Sequence, residues 1–199
     1  MKSNLIRIGL IGDHLCGKSS FINTYINQTP TKIYESTIGV DFFRKDVVSQ
    51  LVNYKFQIWD MSGTERFINI IENYIKTLDV IMIFFDIDNR TSFNNLNHWL
   101  ELVNKNNNKP GMIKLLIGTK TKDNLRTISM DEILKFSLKE TIPYYEVKID
   151  DLNYINKLFL EILVKIKLNV KKGIEYKFII RKDPNKVNID KKVICCNIL

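Results

Sequence analysis

Eight residues, GDHLCGKS from Gly12 to Ser19, follow directly on the apolar run Leu5–Ile11 and lead into a stretch of helical periodicity from Lys18 to about Asn27. The octet fits G-x-x-x-x-G-K-[ST] and sits between a strand and a helix, which is the setting that pattern requires. Backbone N–H groups of Gly12, Asp13, His14, Leu15, Cys16 and Gly17 would converge on phosphate oxygens, and the start of the helix adds its dipole. In such a loop Lys18 reaches the terminal phosphates and the Ser19 hydroxyl serves Mg²⁺. An ordinary strand-to-helix turn needs neither the lysine nor both glycines.

The rest of the chain alternates in the same way. Val40–Val48 and Leu51–Asp60 read as strands joined by a short turn, Val80–Phe85 and Ile113–Ile117 as buried strands, and Val147–Ile149 as a weak one. Phe67–Ile75, Ser92–Val103, Ser129–Leu138 and Leu152–Leu168 carry helical spacing. Near-continuous apolar strands separated by helices predict an α/β fold, a mostly parallel six-stranded sheet with helices on both faces. Ligands of such sheets bind beyond the carboxyl ends of the strands. The loops that matter therefore begin at Gly12, Asp60, Asp86 and Gly118. Asp60 ends an apolar strand and is followed by Gly63, so its carboxylate can hold Mg²⁺ through a water while the Gly63 amide meets the last phosphate.

Charge divides the chain differently. Of the net +8, a balance of +7 lies between Lys165 and Lys192, with ten Lys/Arg against three Asp/Glu. A near-neutral body of residues 1–168 and a basic tail of residues 169–199 follow. An evenly basic surface would point to nucleic acid; a basic tail ending in Cys195 and Cys196 points to an anionic membrane. Three cysteines in this arrangement make no disulfide framework. No apolar run approaches the roughly 18–20 residues of a spanning helix, and Arg7 interrupts any secretory leader, so a cytosolic protein is expected. His14 and His98 lie too far apart in the pattern to suggest a metal site.

From about Leu5 to Ile166 the chain resembles the Rab family of Ras-like small GTPases. STIGVDF, residues Ser36, Thr37, Ile38, Gly39, Val40, Asp41 and Phe42, is similar to the Rab effector loop. IWDMSGTERF at Ile58–Phe67 is similar to IWDTAGQERF, SFNNLNHWL at Ser92–Leu100 is Rab-like, and CCNIL at the end resembles a prenylation signal. The last four residues also satisfy C-a-a-X, where a final leucine favours geranylgeranyl. The resemblance implies a P-loop small-GTPase fold binding GTP or GDP with Mg²⁺, the ion held by Ser19, Thr37 and Asp60. It implies effector proteins that dock on the switch regions and on the aromatic trio Phe42, Trp59 and Tyr74. It further implies lipidation at Cys195 and Cys196, a prenyltransferase, a carrier that hides the lipid, and residence on the cytoplasmic face of a membrane with a cytosolic pool.

Several positions depart from the family pattern. GTKTKDN falls on the guanine-reading Asn-Lys-x-Asp motif, with Thr119 for the asparagine, Lys120 retained and Lys122 for the aspartate. A lysine cannot accept hydrogen bonds, and Asp123 could substitute only by a register shift. Pro30 replaces the aromatic that covers the base, and Lys148, Ile149 and Asp150 replace the Ser-Ala-Lys support. Thr64 stands for the glutamine that orients the attacking water, and His14 and Leu15 replace small residues of the phosphate loop. Little intrinsic hydrolysis is expected. Three readings follow: a Rab-type switch in vesicle traffic with weakened hydrolysis and altered base recognition, a pseudo-GTPase scaffold, and a P-loop protein of relaxed base specificity.

Overall fold

The computed structural model describes residues 4–30, 37–107, 109–120 and 126–172, with the side chains of the last helix described to residue 167. Ser36, Lys122, Asp123, Cys195 and Cys196 therefore lie outside the described residues. Six strands, β1 (Leu5–Gly12), β2 (Val40–Ser49), β3 (Val52–Met61), β4 (Val80–Asp86), β5 (Ile113–Lys120) and β6 (Tyr144–Lys148), form one sheet in the order β2-β3-β1-β4-β5-β6. Of these six, only β2 runs antiparallel, paired with β3. The helices are α1 (Lys18–Asn27), α2 (Ile68–Ile75), α3 (Arg90–Asn94), α4 (Leu96–Asn106), α5 (Met130–Glu140) and α6 (Leu152–Lys172). This is the α/β architecture expected from the alternating periodicity.

Every residue of β4 is buried, as its unbroken apolar sequence demands of a central parallel strand. Alternate residues of the sheet feed two cores. Ile8, Leu10, Phe56, Ile58, Met82, Phe84 and Ile117 face α1 and α6. Ile11, Met61, Ile81, Ile83 and Phe85 face the side of α2, α4 and α5. Phe159 of α6 lies 5.8 Å from the Phe21 ring and 5.9 Å from Phe56, and Tyr25 stacks on it at 3.7 Å. Each such ring contributes about 1.5–3 kcal/mol when fully buried.

Two elements differ from their expected outlines. The expected helix Ser92–Val103 is two, α3 and α4, meeting at Asn95. Asn89 caps α3 by accepting from the amides of Thr91 and Ser92, and the Ser92 hydroxyl accepts from the Asp86 amide, so the first turn is tied to the end of β4. The last strand lies at Tyr144–Lys148 instead of Val147–Ile149, because its parallel pairing with β5 begins at Leu116↔Tyr144. At the other edge, Ser49 pairs with Val52, leaving Gln50 and Leu51 as a two-residue turn with φ of 51° and 63°. Both residues are left-handed, a conformation that suits Asn-Gly and costs other residues roughly 1–2 kcal/mol each.

At the start of α3, Arg90 makes a two-pronged bond to Glu132 at 2.7 and 3.2 Å and donates to the Thr127 carbonyl. Glu132 also closes a capping box with Ser129 at the start of α5. The Arg90 bond, the largest influence, and the Ser129 amide hold the Glu132 carboxyl down at about 2. A depressed carboxyl stabilises the fold above its unfolded value, and that contribution is lost as pH falls through the folded one. Glu132→Gln should therefore lower stability to urea at pH 7, with the difference from the parent closing between roughly pH 4.5 and 2.

Candidate nucleotide site

Gly12 closes β1 with φ of 136°, and a Cβ there would overlap the Phe84 carbonyl of the neighbouring strand. The chain then turns through residues 13–17 and enters α1, whose N-cap is Gly17 with φ of 83°. No side chain caps this helix and no acidic residue lies in its first turn. Its leading N–H groups are left to an anion rather than to a cap. The Lys18 ammonium folds back over the loop, donating to the carbonyls of Gly12 at 2.9 Å and Asp13 at 2.7 Å, and lies 3.7 Å from the Cys16 sulfur. It is buried, a cation held at the centre of the loop.

Three further side chains fix the loop, and two of these attachments are not apparent from the motif alone. The Thr119 hydroxyl, fully buried at the end of β5, donates to the Cys16 carbonyl at 2.7 Å and lies 3.1 Å from that of Phe85. Thr119 thus braces the loop rather than presenting its hydroxyl to solvent. Asp13, an acidic residue within a phosphate loop, is turned aside by α4 and the residue before it. Its carboxylate accepts from the Trp99 indole N–H and from the Asn95 side-chain amide, both at 2.7 Å. The sequence clue was the pairing of an out-of-place acid with a helical Trp whose N–H needs an acceptor. Cys16 is fully buried, where it packs in the core beside Phe21, and burial pushes its thiol up.

Ser19, Thr37 and Asp60 come together from α1, the segment before β2, and β3. Ser19 Oγ lies 2.9 Å from Thr37 Oγ1, and Thr37 Oγ1 donates to Asp60 Oδ2 at 3.3 Å. Asp60 is fully buried, and its Oδ1 has no hydrogen-bond partner among the described residues. Desolvation pushes its carboxyl above the ordinary range, opposed by the Ser19 bond and the Lys18 charge. Two hydroxyls and a carboxylate with one uncommitted buried oxygen suit a hard divalent cation with part of its water shell, as Mg²⁺ prefers.

Gly63 lies directly on the loop: a Cβ there would overlap backbone atoms of Gly12, Asp13 and His14. The Ser62 amide donates to the Gly39 carbonyl at 2.8 Å, joining the segments that carry Thr37 and Gly63. The Thr64 hydroxyl is engaged with Ser62 at 2.9 Å. Outside this cleft, Phe42 and Tyr74 flank the half-buried Trp59 at centroid distances of 5.4 and 6.0 Å, and Ile38 and Asp41 are exposed. At the base end, Lys120 is half-buried and paired in register with Lys148, while Pro30, Lys148 and Asp150 are exposed.

The Ras-family sequence model, described as "Ras family", matches residues 7–168. The chain belongs to the Ras family. Within that family it is Rab-like: it is 32% identical over 164 residues to the GTP-binding protein ypt1 of Schizosaccharomyces pombe, covering 82% of this chain and 80% of the relative. It is 33% identical over 165 residues to the GTP-binding protein YPT1 of Saccharomyces cerevisiae, with 82% and 79% covered. It is 30% identical over 161 residues to the Ras-related protein Rab-18 of Lymnaea stagnalis, with 81% and 80% covered. Within the phosphate loop, Leu15 adopts φ of 63° and is 57% exposed, a bulky residue in a left-handed position. Leu15→Gly should raise stability to urea by about 1 kcal/mol or less, the left-handed cost of leucine less the entropic cost of glycine. Trp99→Phe keeps the ring and removes the indole donor to Asp13; it should lower stability by about 1–3 kcal/mol in the same measurement.

Proposed function

We propose that the protein is a Rab-type GTP-binding switch acting in vesicle traffic, anchored to a membrane by its tail, with weakened hydrolysis and altered base recognition. The observation that carries the reading is the meeting of Ser19, Thr37 and Asp60 beside the phosphate loop. Thr37 and Gly63 lie on the two segments joined by the Ser62–Gly39 bond. A nucleotide that keeps its last phosphate would hold both segments; losing it would release them. Ser19, Thr37 and Asp60 would hold Mg²⁺, which supplies neutralisation of charge on the phosphates.

Effector proteins would dock on Phe42, Trp59 and Tyr74 with the exposed Ile38, a patch whose aromatic area and partial exposure suit a binding surface. No helix among the described residues is long and apolar enough to cross a membrane. Attachment would instead come from Cys195 and Cys196 by prenylation, with a prenyltransferase to install the lipid and a carrier to hide it. One lipid chain holds only marginally, so the second cysteine and the basic tail matter.

Weak hydrolysis is supported by Thr64, whose short side chain is bound to Ser62 and cannot reach out to place a water. Thr64→Gln should raise the single-turnover GTP hydrolysis rate by roughly tenfold or more. Lys122, with Lys148, Ile149 and Asp150, supports the altered base site. Lys122→Asp should tighten GDP binding by about a hundredfold or more, the two charged hydrogen bonds being of about 1.5–3 kcal/mol each. The second reading, relaxed base specificity, rests on the same lysine.

Chromatography of the nucleotide released from protein purified with Mg²⁺ separates these readings. Guanine nucleotide at one per chain is the expected result. Adenine nucleotide would favour relaxed specificity, and a folded protein without nucleotide would favour the scaffold.

A further inference from the structure

The tip of the β2–β3 hairpin and the outer side of α6 expose apolar side chains that neither core uses. Leu51 is fully exposed at 100%, and Val48, near the same tip, is 69% exposed. On α6, Leu160 and Val164 are 46% and 53% exposed, one turn apart and opposite the buried Ile155, Phe159 and Ile162. The two elements are tied together: the Lys167 ammonium donates to Gln50 Oε1 at 3.1 Å and lies 5.1 Å over the Tyr54 ring. Leu51 also holds a left-handed backbone that asparagine or glycine would adopt more easily. Its side chain does nothing for the turn and reaches only outward.

We infer that Leu51, Leu160 and Val164, framed by lysines, form a face that rests on an anionic lipid bilayer and sets the orientation of the protein there. α6 carries Lys157, Lys165, Lys167, Lys171 and Lys172 against a single acid, Glu161. Apolar side chains among lysines on one helix are the composition of an interfacial surface, and each lysine near an anionic leaflet is attracted to it. The basic sequence from Lys177 to Lys192 follows the same helix along the chain. A second copy of the chain fits less well. A two-fold interface sets the same patch against itself and would bring lysines against lysines, and three apolar side chains fall far short of the roughly 1,200 Å² of a stable pair. With this face down, the Phe42–Trp59–Tyr74 trio, which lies toward the opposite end of β2 and β3 from the hairpin tip, is carried away from the lipid.

The inference rests on the membrane reading for its biological setting, so its test supplies the attachment. Full-length protein is coupled through Cys195 and Cys196 to maleimide-headgroup lipid in phosphatidylserine-containing vesicles, Cys16 being buried. Emission of the Leu51→Trp variant is then read with and without brominated acyl chains and compared with the parent, which has Trp59 and Trp99. Quenching confined to the added tryptophan is expected. In parallel, the uncoupled Leu51→Asn/Val164→Asn variant should sediment with the same vesicles roughly tenfold less than the parent. The changes are charge-neutral, and asparagine suits the left-handed turn, so unfolding of the variant is not expected and is checked by its urea midpoint.

Absence of quenching of the added indole in the coupled Leu51→Trp variant would overturn the inference whatever happens to the tail in cells. Equal sedimentation of the double variant and the parent would do the same, leaving the tail lysines as the whole attraction. A concentration-dependent dimer of the parent, abolished in the double variant, would reassign the face to a second copy. Absence of lipid on Cys195 and Cys196 in cells would instead remove the anchoring reading while leaving the coupled-vesicle result standing.

Discussion

A phosphate loop has almost no secondary structure of its own, and the shape of this one depends on being held from three directions. The Lys18 ammonium grips two of its carbonyls from within. Thr119 braces Cys16 from β5, and Asn95 and Trp99 draw Asp13 toward α4. Remove these and the residues between Gly12 and Gly17 would have many conformations of similar energy, each with its amides aimed differently. The loop's preorganisation is therefore contributed by elements far away in sequence. The contact from Thr119 is also where the base end of the site is mechanically joined to the phosphate end.

Under the proposed function, that joining would give the segment at the end of β5 a double role. Of its residues, Thr119 is held between the loop and the sheet, donating to the Cys16 carbonyl and lying against the Phe85 carbonyl of β4. The charge change at Lys122 falls on the base-reading position of the motif, a different residue from the one that makes the brace. A chain can thus lose guanine discrimination without losing the architecture that holds phosphates. On the proposed reading, phosphate and base would be served by different residues of one short segment.

Much of the fold was readable because its strands are buried on both faces and so appear as unbroken apolar runs, as in Val80–Phe85 and Ile113–Ile117. The phosphate loop was equally plain, since lysine and glycine at fixed spacing have few other uses. The edge strand was placed late: Tyr144 and Tyr145 carry no alternation strong enough to mark a beginning, and pairing with β5 decides it. The break between α3 and α4 was hidden because Phe93, Leu96, Trp99 and Leu100 keep a helical rhythm across it. The bonds from Asn95 and Trp99 to Asp13 join positions 82 and 86 residues apart, and no local pattern encodes a contact of that range.

The two tryptophans divide the molecule between them. Trp99 is buried with its N–H on the carboxylate of the phosphate loop, and Trp59 is half-buried between Phe42 and Tyr74 on the outer face. An indole whose hydrogen bond changes shifts its emission, and one whose ring neighbours move changes its intensity. The chain therefore contains two native optical reporters, one facing inward to the loop and one outward to whatever docks. Occupancy of the site and engagement of the surface could be followed as separate signals in a single unlabelled sample.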